Sequence, residues 1–345
     1  MESGFGALLD IPGLNYSVHL YDEAFKKFPQ GFILGSETAS TVSSRGIYKF
    51  PVVQEKMKQY PDFQSSSYDL EACSWSNVPD EDFVLQDDKP WVIGEFVWTG
   101  FDYLGEPTPY DESWPSRSSY FGINDLAGLP KDRYYLYRSR WNTKATTLHI
   151  LPHWNWEGRE GQTTPVFVYT SYNSAELFIN GKSMGVQTKN KNTPQNRYRL
   201  MWMDVKYEPG TVKVVAYDDN GKVAEEKEIR TAGQPYQIVL DADRKTITAD
   251  GEDISFVTVS VVDKNGVPCP TATNQLKFKV SGAGTYRAAC NGDATSLEMF
   301  HKDTMKLFSG KLVVLVKSKT TAGDIKLEVN GAGLKAGKLT LEAKK

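Results

Sequence analysis

The rhythm of apolar and polar positions changes near residue 145. Before it, short apolar runs alternate with stretches of helical spacing. Leu8–Tyr16 reads as a strand, Tyr21–Phe28 as a short amphipathic helix stopped by Pro29, and Phe32–Glu37 as a buried strand. A long polar loop follows, then an apolar strand at Trp91–Trp98. Tyr134, Tyr137 and Trp141 stand at helical spacing, so Lys131–Trp141 reads as a closing helix. Strand, helix, strand with continuous apolar runs predicts parallel βα units. About three such strands are present, too few for a complete α/β domain.

After residue 145 the period becomes two. Val257, Val259 and Val261 alternate with Thr258 and Ser260, and Ile325, Leu327 and Val329 with Lys326 and Glu328. That is the pattern of a strand with one buried face. Asn-Gly pairs begin at Asn180, Asn220, Asn265, Asn291 and Asn330, a strong short-range signal for tight hairpins. The all-β span is about twice the size of one immunoglobulin-like sandwich, so two in series are expected. Thr231–Pro235 reads as the linker between them. The expected domains are therefore 1–145, 146–233 and 234–345.

Composition narrows the function. A net charge of −3 and no long basic run argue against nucleic-acid and membrane-surface partners. Met1–Leu9 has no basic start and no long apolar run, so it does not read as a signal peptide. Cys73, Cys269 and Cys290 form no metal pattern and no disulfide framework; Cys269 and Cys290 are left open between a pair and free thiols. The informative excess is aromatic, with 8 Trp, 18 Tyr and 16 Phe. Such rings stack on the apolar face of a pyranose, but they also fill β-rich cores. Trp154 and Trp156 in particular are open to either role.

Three apolar strands end in groups able to do chemistry: Leu14-Asn-Tyr16, Phe32-Ile-Leu-Gly-Ser-Glu37 and Trp91–Trp98. In a parallel barrel the C-terminal strand ends face the active site. A lone Glu there is weak evidence, since an ordinary ion pair is the commoner role for such a residue. A phenol, a carboxylate and an indole on three such ends are the equipment for holding a sugar and attacking its anomeric carbon.

Asn15-Tyr16, Gly35-Ser-Glu-Thr38 and Gly94-Glu-Phe-Val-Trp-Thr-Gly-Phe-Asp-Tyr-Leu-Gly-Glu-Pro107 resemble the last strands of the family-two glycoside hydrolase barrel, as in bacterial β-galactosidases. Ser119–Arg133 is similar to its final loop and closing helix. Leu177–Gly185 and Asn291–Glu298 are similar to two sandwich domains that follow it. The resemblance implies a partial (β/α)8 TIM-barrel segment, its last three strands, followed by two immunoglobulin-like antiparallel β-sandwiches. It implies a retaining exo-β-glycosidase, a β-galactosidase above all, with Glu37 as nucleophile, Tyr16 hydrogen-bonded to it and Trp98 stacking on substrate. Asn15, His19 and Asp102 lie beside these strand ends and are placed to line the pocket, a structural role being equally open for His19 and Asp102. Glu95, inside its strand, is expected in a buried ion pair, and Glu106 to order its loop. No cofactor and no metal enter this chemistry, and the implied location is periplasmic or secreted in a bacterium.

One departure is large. The family's acid/base is the Glu of an Asn-Glu pair on the fourth barrel strand, and only Glu2 precedes Tyr16 here. The N-terminal half of the barrel is the expected missing partner, and the chain alone is expected to be inactive. The competing readings are a non-enzymatic carbohydrate-binding or spacer protein, and a β-glucuronidase or β-mannosidase on the same barrel.

Overall fold

The computed structural model describes residues 4–345; Glu2 lies outside them. The first part carries β1 (Gly13–Asn15), α1 (Tyr21–Lys27), β2 (Ile33–Thr38), α2 (Pro79–Asp88), β3 (Val92–Val97) and α3 (Asp132–Trp141). The three strands form a parallel sheet in the order β1-β2-β3. A helix follows each strand, and α1 packs Tyr21 and Ala24 against Ile33 and Val92. Among the described residues, both outer edges of this sheet are unpaired. On the β3 side Ile93 is 53% and Phe96 65% exposed, an apolar surface that an isolated sheet would not be expected to leave in water.

Two expectations are corrected here. The first strand is shorter than Leu8–Tyr16, because Phe5–Leu8 forms a 3-10 turn and Pro12 has no N–H for the ladder. The Gln30 amide donates to Gly6 O at 3.1 Å and Ala7 O at 3.3 Å, holding that turn. The polar stretch before Trp91 contains α2, which starts at Pro79 with Asp80, Glu81 and Asp82 in its first turn. That is favourable start chemistry. Its inward face carries Asp80 and Asp82, so no apolar stripe marks it.

The segment between β2 and α2 is irregular yet buried. Ser43 N–H donates to Tyr120 O at 3.1 Å, Ser44 N–H to Ser65 O at 3.0 Å and Ser67 N–H to Ile47 O at 2.7 Å. Buried Arg133 and Lys131 satisfy further carbonyls: Arg133 reaches Phe121 O and Gly122 O, each at 2.8 Å, and Lys131 reaches Ser43 O at 2.7 Å. Backbone groups without a ladder thus find side-chain donors.

The next strands are β4 (Leu148–Leu151), β5 (Val166–Thr170), β6 (Ser174–Ile179), β7 (Lys182–Thr188), β8 (Arg199–Trp202), β9 (Thr211–Tyr217) and β10 (Val223–Arg230). They form the sheets β8-β5-β4 and β10-β9-β6-β7 around one core of Val166, Val168, Leu177, Val212, Val214 and Trp202. Trp154 is buried in that core and donates to Glu208 O at 2.8 Å, so it packs and is not free to stack on a sugar. Asn180 and Gly181, with φ of 50° and 79°, make the two-residue hairpin that their pair predicts between β6 and β7.

The last strands are β11 (Gln237–Ala242), β12 (Thr246–Thr248), β13 (Ile254–Val262), β14 (Gln275–Gly282), β15 (Gly284–Cys290), β16 (Thr304–Lys306), β17 (Lys311–Ser318), β18 (Gly323–Gly331) and β19 (Gly337–Lys344). Sheets β11-β13-β17-β15 and β12-β19-β18-β14-β16 enclose the second sandwich core. Val257, Val259, Val261, Ile325, Leu327 and Val329 all point into it, as their alternation predicts. Asn330-Gly331 does not turn the chain: it ends β18, paired across to β14. All three cysteines are free thiols. No helix among the described residues is long and apolar enough to cross a membrane.

The three parts are joined by buried polar contacts. Arg199 on β8 holds Asp80 of α2 and donates to Tyr68 O at 3.1 Å. Arg45 binds Asp125 in the first part and donates to Asn291 O at 2.8 Å and Phe308 O at 2.9 Å in the second sandwich. The Thr231–Pro235 linker is tied down rather than loose, since Asn155 exchanges two hydrogen bonds with Ala232.

Asp80→Ala would strand the Arg199 guanidinium in the interior. It is expected to destabilise the chain by about 3–5 kcal/mol, read as a lower urea midpoint for the first transition. Asp80→Ala/Arg199→Leu is expected to recover much of that loss. A double variant no more stable than the single would show that the charge is not the cause.

Candidate active site

The site begins with strand register. Asn15 pairs with Glu37, and Thr38 with Val97. Just past those pairs, Tyr16 N–H donates to Glu37 O at 2.8 Å and Trp98 N–H to Thr38 O at 2.9 Å. The C-terminal ends of β1, β2 and β3 are therefore level, and they bring Tyr16, Glu37 and Trp98 together on one rim. Tyr16 and Ala39 take φ of 54° and 46°, left-handed conformations that non-glycine residues seldom adopt. Each turns its chain sharply at the rim, and such backbone outliers concentrate where geometry serves a site.

Tyr16 Oη donates to Glu37 Oε2 at 2.9 Å. Burial, reinforced by the adjacent carboxylate, raises the Tyr16 phenol well above its ordinary range, so it stays a donor. Tyr16 thus holds Oε2, and no hydrogen bond to Oε1 is made among the described residues. Trp98 Nε1 donates to Tyr103 Oη at 3.2 Å, with the rings edge to face. Tyr103 in turn hydrogen-bonds Glu106, so Glu106 orders its loop and steadies the indole indirectly.

The remaining candidates separate. Asn15 Oδ1 accepts from Ser36 Oγ at 2.7 Å beside the rim. His19 is exposed in a 3-10 turn after β1 and makes no hydrogen bond to Glu37 or Trp98 among the described residues. Asp102 is buried: Lys131 Nζ lies 2.6 Å from it and Gly122 N–H donates to it at 2.8 Å. Its carboxylate pins the 100–124 loop to the start of α3. Gly122 must be glycine there, because a Cβ would sit 2.2 Å from Asp102 N and from Asn124 O.

Glu95 is corrected. It has no cationic partner within ion-pair distance among the described residues. It accepts from Thr38 Oγ1 at 2.6 Å, and burial raises its carboxyl above the ordinary range. Asp82 of α2, also buried, is pushed up by burial and by Glu95. Periodicity carries no sign of Ser36, Tyr103 or this carboxylate pair, because each acts across strands or loops.

The second sandwich reaches the same region. Ala294 packs in one apolar cluster with Trp98, Tyr103, Phe121 and Tyr120. Gln64 donates to Asp293 Oδ1 at 2.9 Å, and Arg117 N–H to Ala294 O at 3.1 Å. The Asn291-Gly292 pair, expected as a hairpin, opens this docking loop instead, with Gly292 pressed against Asp125.

Comparison with known proteins agrees with this architecture. Residues 238–340 match the glycoside hydrolase family 2 C-terminal domain 5, and residues 161–225 a domain of unknown function (DUF4982). The β-galactosidase BoGH2A of Bacteroides ovatus is 42% identical over 97% of this chain and 39% of its own length. The chain carries the C-terminal domains of glycoside hydrolase family 2. A putative β-glucuronidase of Formosa agariphila is 35% identical over 65% of the chain and 21% of its own length. A solved β-glycosidase from Bacteroides vulgatus superposes with a TM-score of 0.84 at 31% identity, covering 97% of this chain and 45% of that one. The family 2 chain thus spans less than half the length of each of these relatives.

The Asp102–Lys131 pair yields a pH-dependent test. Burial raises Asp102 to about 6, above the ordinary value near ~3.9. The stability it contributes is therefore full below about pH 4 and lost as pH rises through 6. Lys131→Met leaves that carboxylate unpaired, at a cost of about 3–5 kcal/mol at pH 7. The cost is expected to shrink at pH 4, where Asp102 takes up a proton. Equal urea-midpoint losses at the two pH values would contradict this account.

Proposed function

We propose that this chain is the C-terminal part of a retaining exo-β-glycosidase of β-galactosidase type, acting through a glycosyl-enzyme formed at Glu37. The observation that carries the reading is the Tyr16–Glu37 hydrogen bond of 2.9 Å at the level ends of adjacent parallel strands. In that arrangement Tyr16 holds Oε2 and orients the carboxylate, while Oε1 attacks the anomeric carbon. Trp98, steadied by Tyr103, offers its ring to the sugar, and Asn15 takes a substrate hydroxyl. His19 is assigned to the pocket edge, and Asp102 to shaping the loop below Trp98. The β-galactosidase reading rests on the name of the 42%-identical relative; other relatives are named β-glucuronidase, which keeps that sugar as the second reading.

Residues 1–145 are assigned to the last three strands of a (β/α)8 barrel, and 146–233 and 234–345 to two immunoglobulin-like sandwiches. Two unpaired sheet edges and the exposed Ile93 and Phe96 support a barrel completed by strands outside this chain. Retaining hydrolysis needs a second carboxyl roughly 5–5.5 Å from the nucleophile, to protonate the leaving oxygen and then activate water. That group is assigned to the missing strands.

Purified alone, the chain is expected to release no nitrophenol from an aryl β-galactoside. In the whole protein, Glu37→Gln should lower kcat by roughly four orders of magnitude or more while leaving the fold intact. Tyr16→Phe should lower it by roughly a hundredfold. A fluorosugar inactivator should label Glu37, as read by peptide mass spectrometry. Turnover by the isolated chain that survives Glu37→Gln would overturn the assignment.

A further inference from the structure

A cleft of about 750 Å³ lies between the two sandwiches, lined by the linker and without Tyr16, Glu37 or Trp98. It falls within the ~300–1,000 Å³ range of small-molecule sites. We propose that this cleft is a non-catalytic binding site for a neutral oligosaccharide. It is independent of the role given to Glu37.

Sugar recognition needs an apolar plane beside planar amides and hydroxyls that can both give and take hydrogen bonds. The cleft supplies both. Trp156 lines it, half-buried and rigid: His153 stacks on the indole at 4.2 Å and 17° between planes, and Tyr48 and Phe50 abut it edge to face. His153, which lines a separate cavity, covers one face of the indole. Trp156 Nε1 is committed to His153 O at 2.7 Å, which leaves the ring surface as its contribution. Tyr207 lines the cleft at 1% exposure, and its hydroxyl makes no hydrogen bond among the described residues.

The opposite wall comes from the linker and the second sandwich. Gln234, Thr271, Thr273 and Asn274 line it, and their side chains make no hydrogen bond among the described residues. By contrast Asn155, at the floor, is wholly occupied by Ala232. The cleft is therefore braced by one set of polar groups and edged by a second set left available. That bracing keeps the two walls at a fixed separation, so little ordering has to accompany binding.

Charge selects the class of sugar. Glu157 and Glu160 border the cleft, while the Arg159 guanidinium is turned onto the Phe50 ring at 3.8 Å and donates to Thr163 O at 3.0 Å. Two exposed carboxylates against one occupied cation disfavour a uronic-acid chain and favour a neutral one.

The test titrates the 345-residue chain with β-1,4-linked galactotetraose by isothermal calorimetry, with trigalacturonate in parallel. Saturable binding of galactotetraose is expected below about 10 mM, with trigalacturonate at least tenfold weaker. Glu37→Gln should leave the affinity unchanged, whereas Trp156→Ala should abolish binding. Because Trp156 also packs on Phe50 and Tyr48, Gln234→Ala/Asn274→Ala provides a variant without packing loss; it should weaken binding about tenfold with an unaltered circular dichroism spectrum. Absence of saturable binding, equal affinity for trigalacturonate, or binding lost in Glu37→Gln but kept in Gln234→Ala/Asn274→Ala would each overturn the proposal.

Discussion

Two backbone hydrogen bonds, Tyr16 N–H to Glu37 O and Trp98 N–H to Thr38 O, hold the candidate site in register. Parallel strands give evenly spaced, slanted bonds, and a slip of one residue would send every following side chain to the other face. Here irregularities interrupt the pairing between Leu14 and Asn15, between Ile33 and Gly35 and between Gly35 and Thr38, yet Asn15 still meets Glu37 and Thr38 still meets Val97 where the strands end. Tyr16 and Ala39 turn away in left-handed conformations, so phenol and carboxylate meet at hydrogen-bond distance. Further out, Tyr103 and Glu106 steady the indole, and Ala294 from the second sandwich closes the cluster behind it.

The surrounding irregular chain is buried without a sheet to satisfy it, and cations perform that task. Lys131, Arg133, Arg45 and Arg199 are each buried, each near a carboxylate, and each donates to backbone carbonyls. A charged donor makes a stronger hydrogen bond than a neutral one, and its burial is tolerable only with a partner charge and filled acceptors. The same device joins the parts: Arg199 ties the first sandwich to α2, and Arg45 ties the second sandwich to the loop at Asp125.

Carboxylates are sorted by their surroundings. Asp102 is buried against a lysine, Asp82 and Glu95 are buried against each other, and Glu37 is half-exposed with one oxygen held. Desolvation raises the first three and keeps them structural. Glu37 differs from these three in being partly exposed at the strand-end rim, with Tyr16 holding one of its oxygens.

By itself the sequence determined what depends on neighbours along the chain. Alternation at Val257–Val261 and Ile325–Val329 placed those residues in a core, because a strand's faces follow from a period of two. The apolar runs at Phe32–Glu37 and Trp91–Trp98 announced β2 and β3, and Asn180-Gly181 its hairpin, since the left-handed backbone there suits those two residues. Tertiary structure decided what depends on residues far apart. It made α2 a helix with buried carboxylates, because Arg199, over a hundred positions on, receives Asp80. It turned Asn291-Gly292 into a docking loop and left Asn330-Gly331 inside a strand, because partner surfaces override a local turn preference. It sent Asp102 to Lys131, denied Glu95 an ion pair and buried Trp154 while leaving Trp156 on a cleft. Each of these rests on desolvation and on which distant group arrives as partner, and no spacing along the chain encodes that.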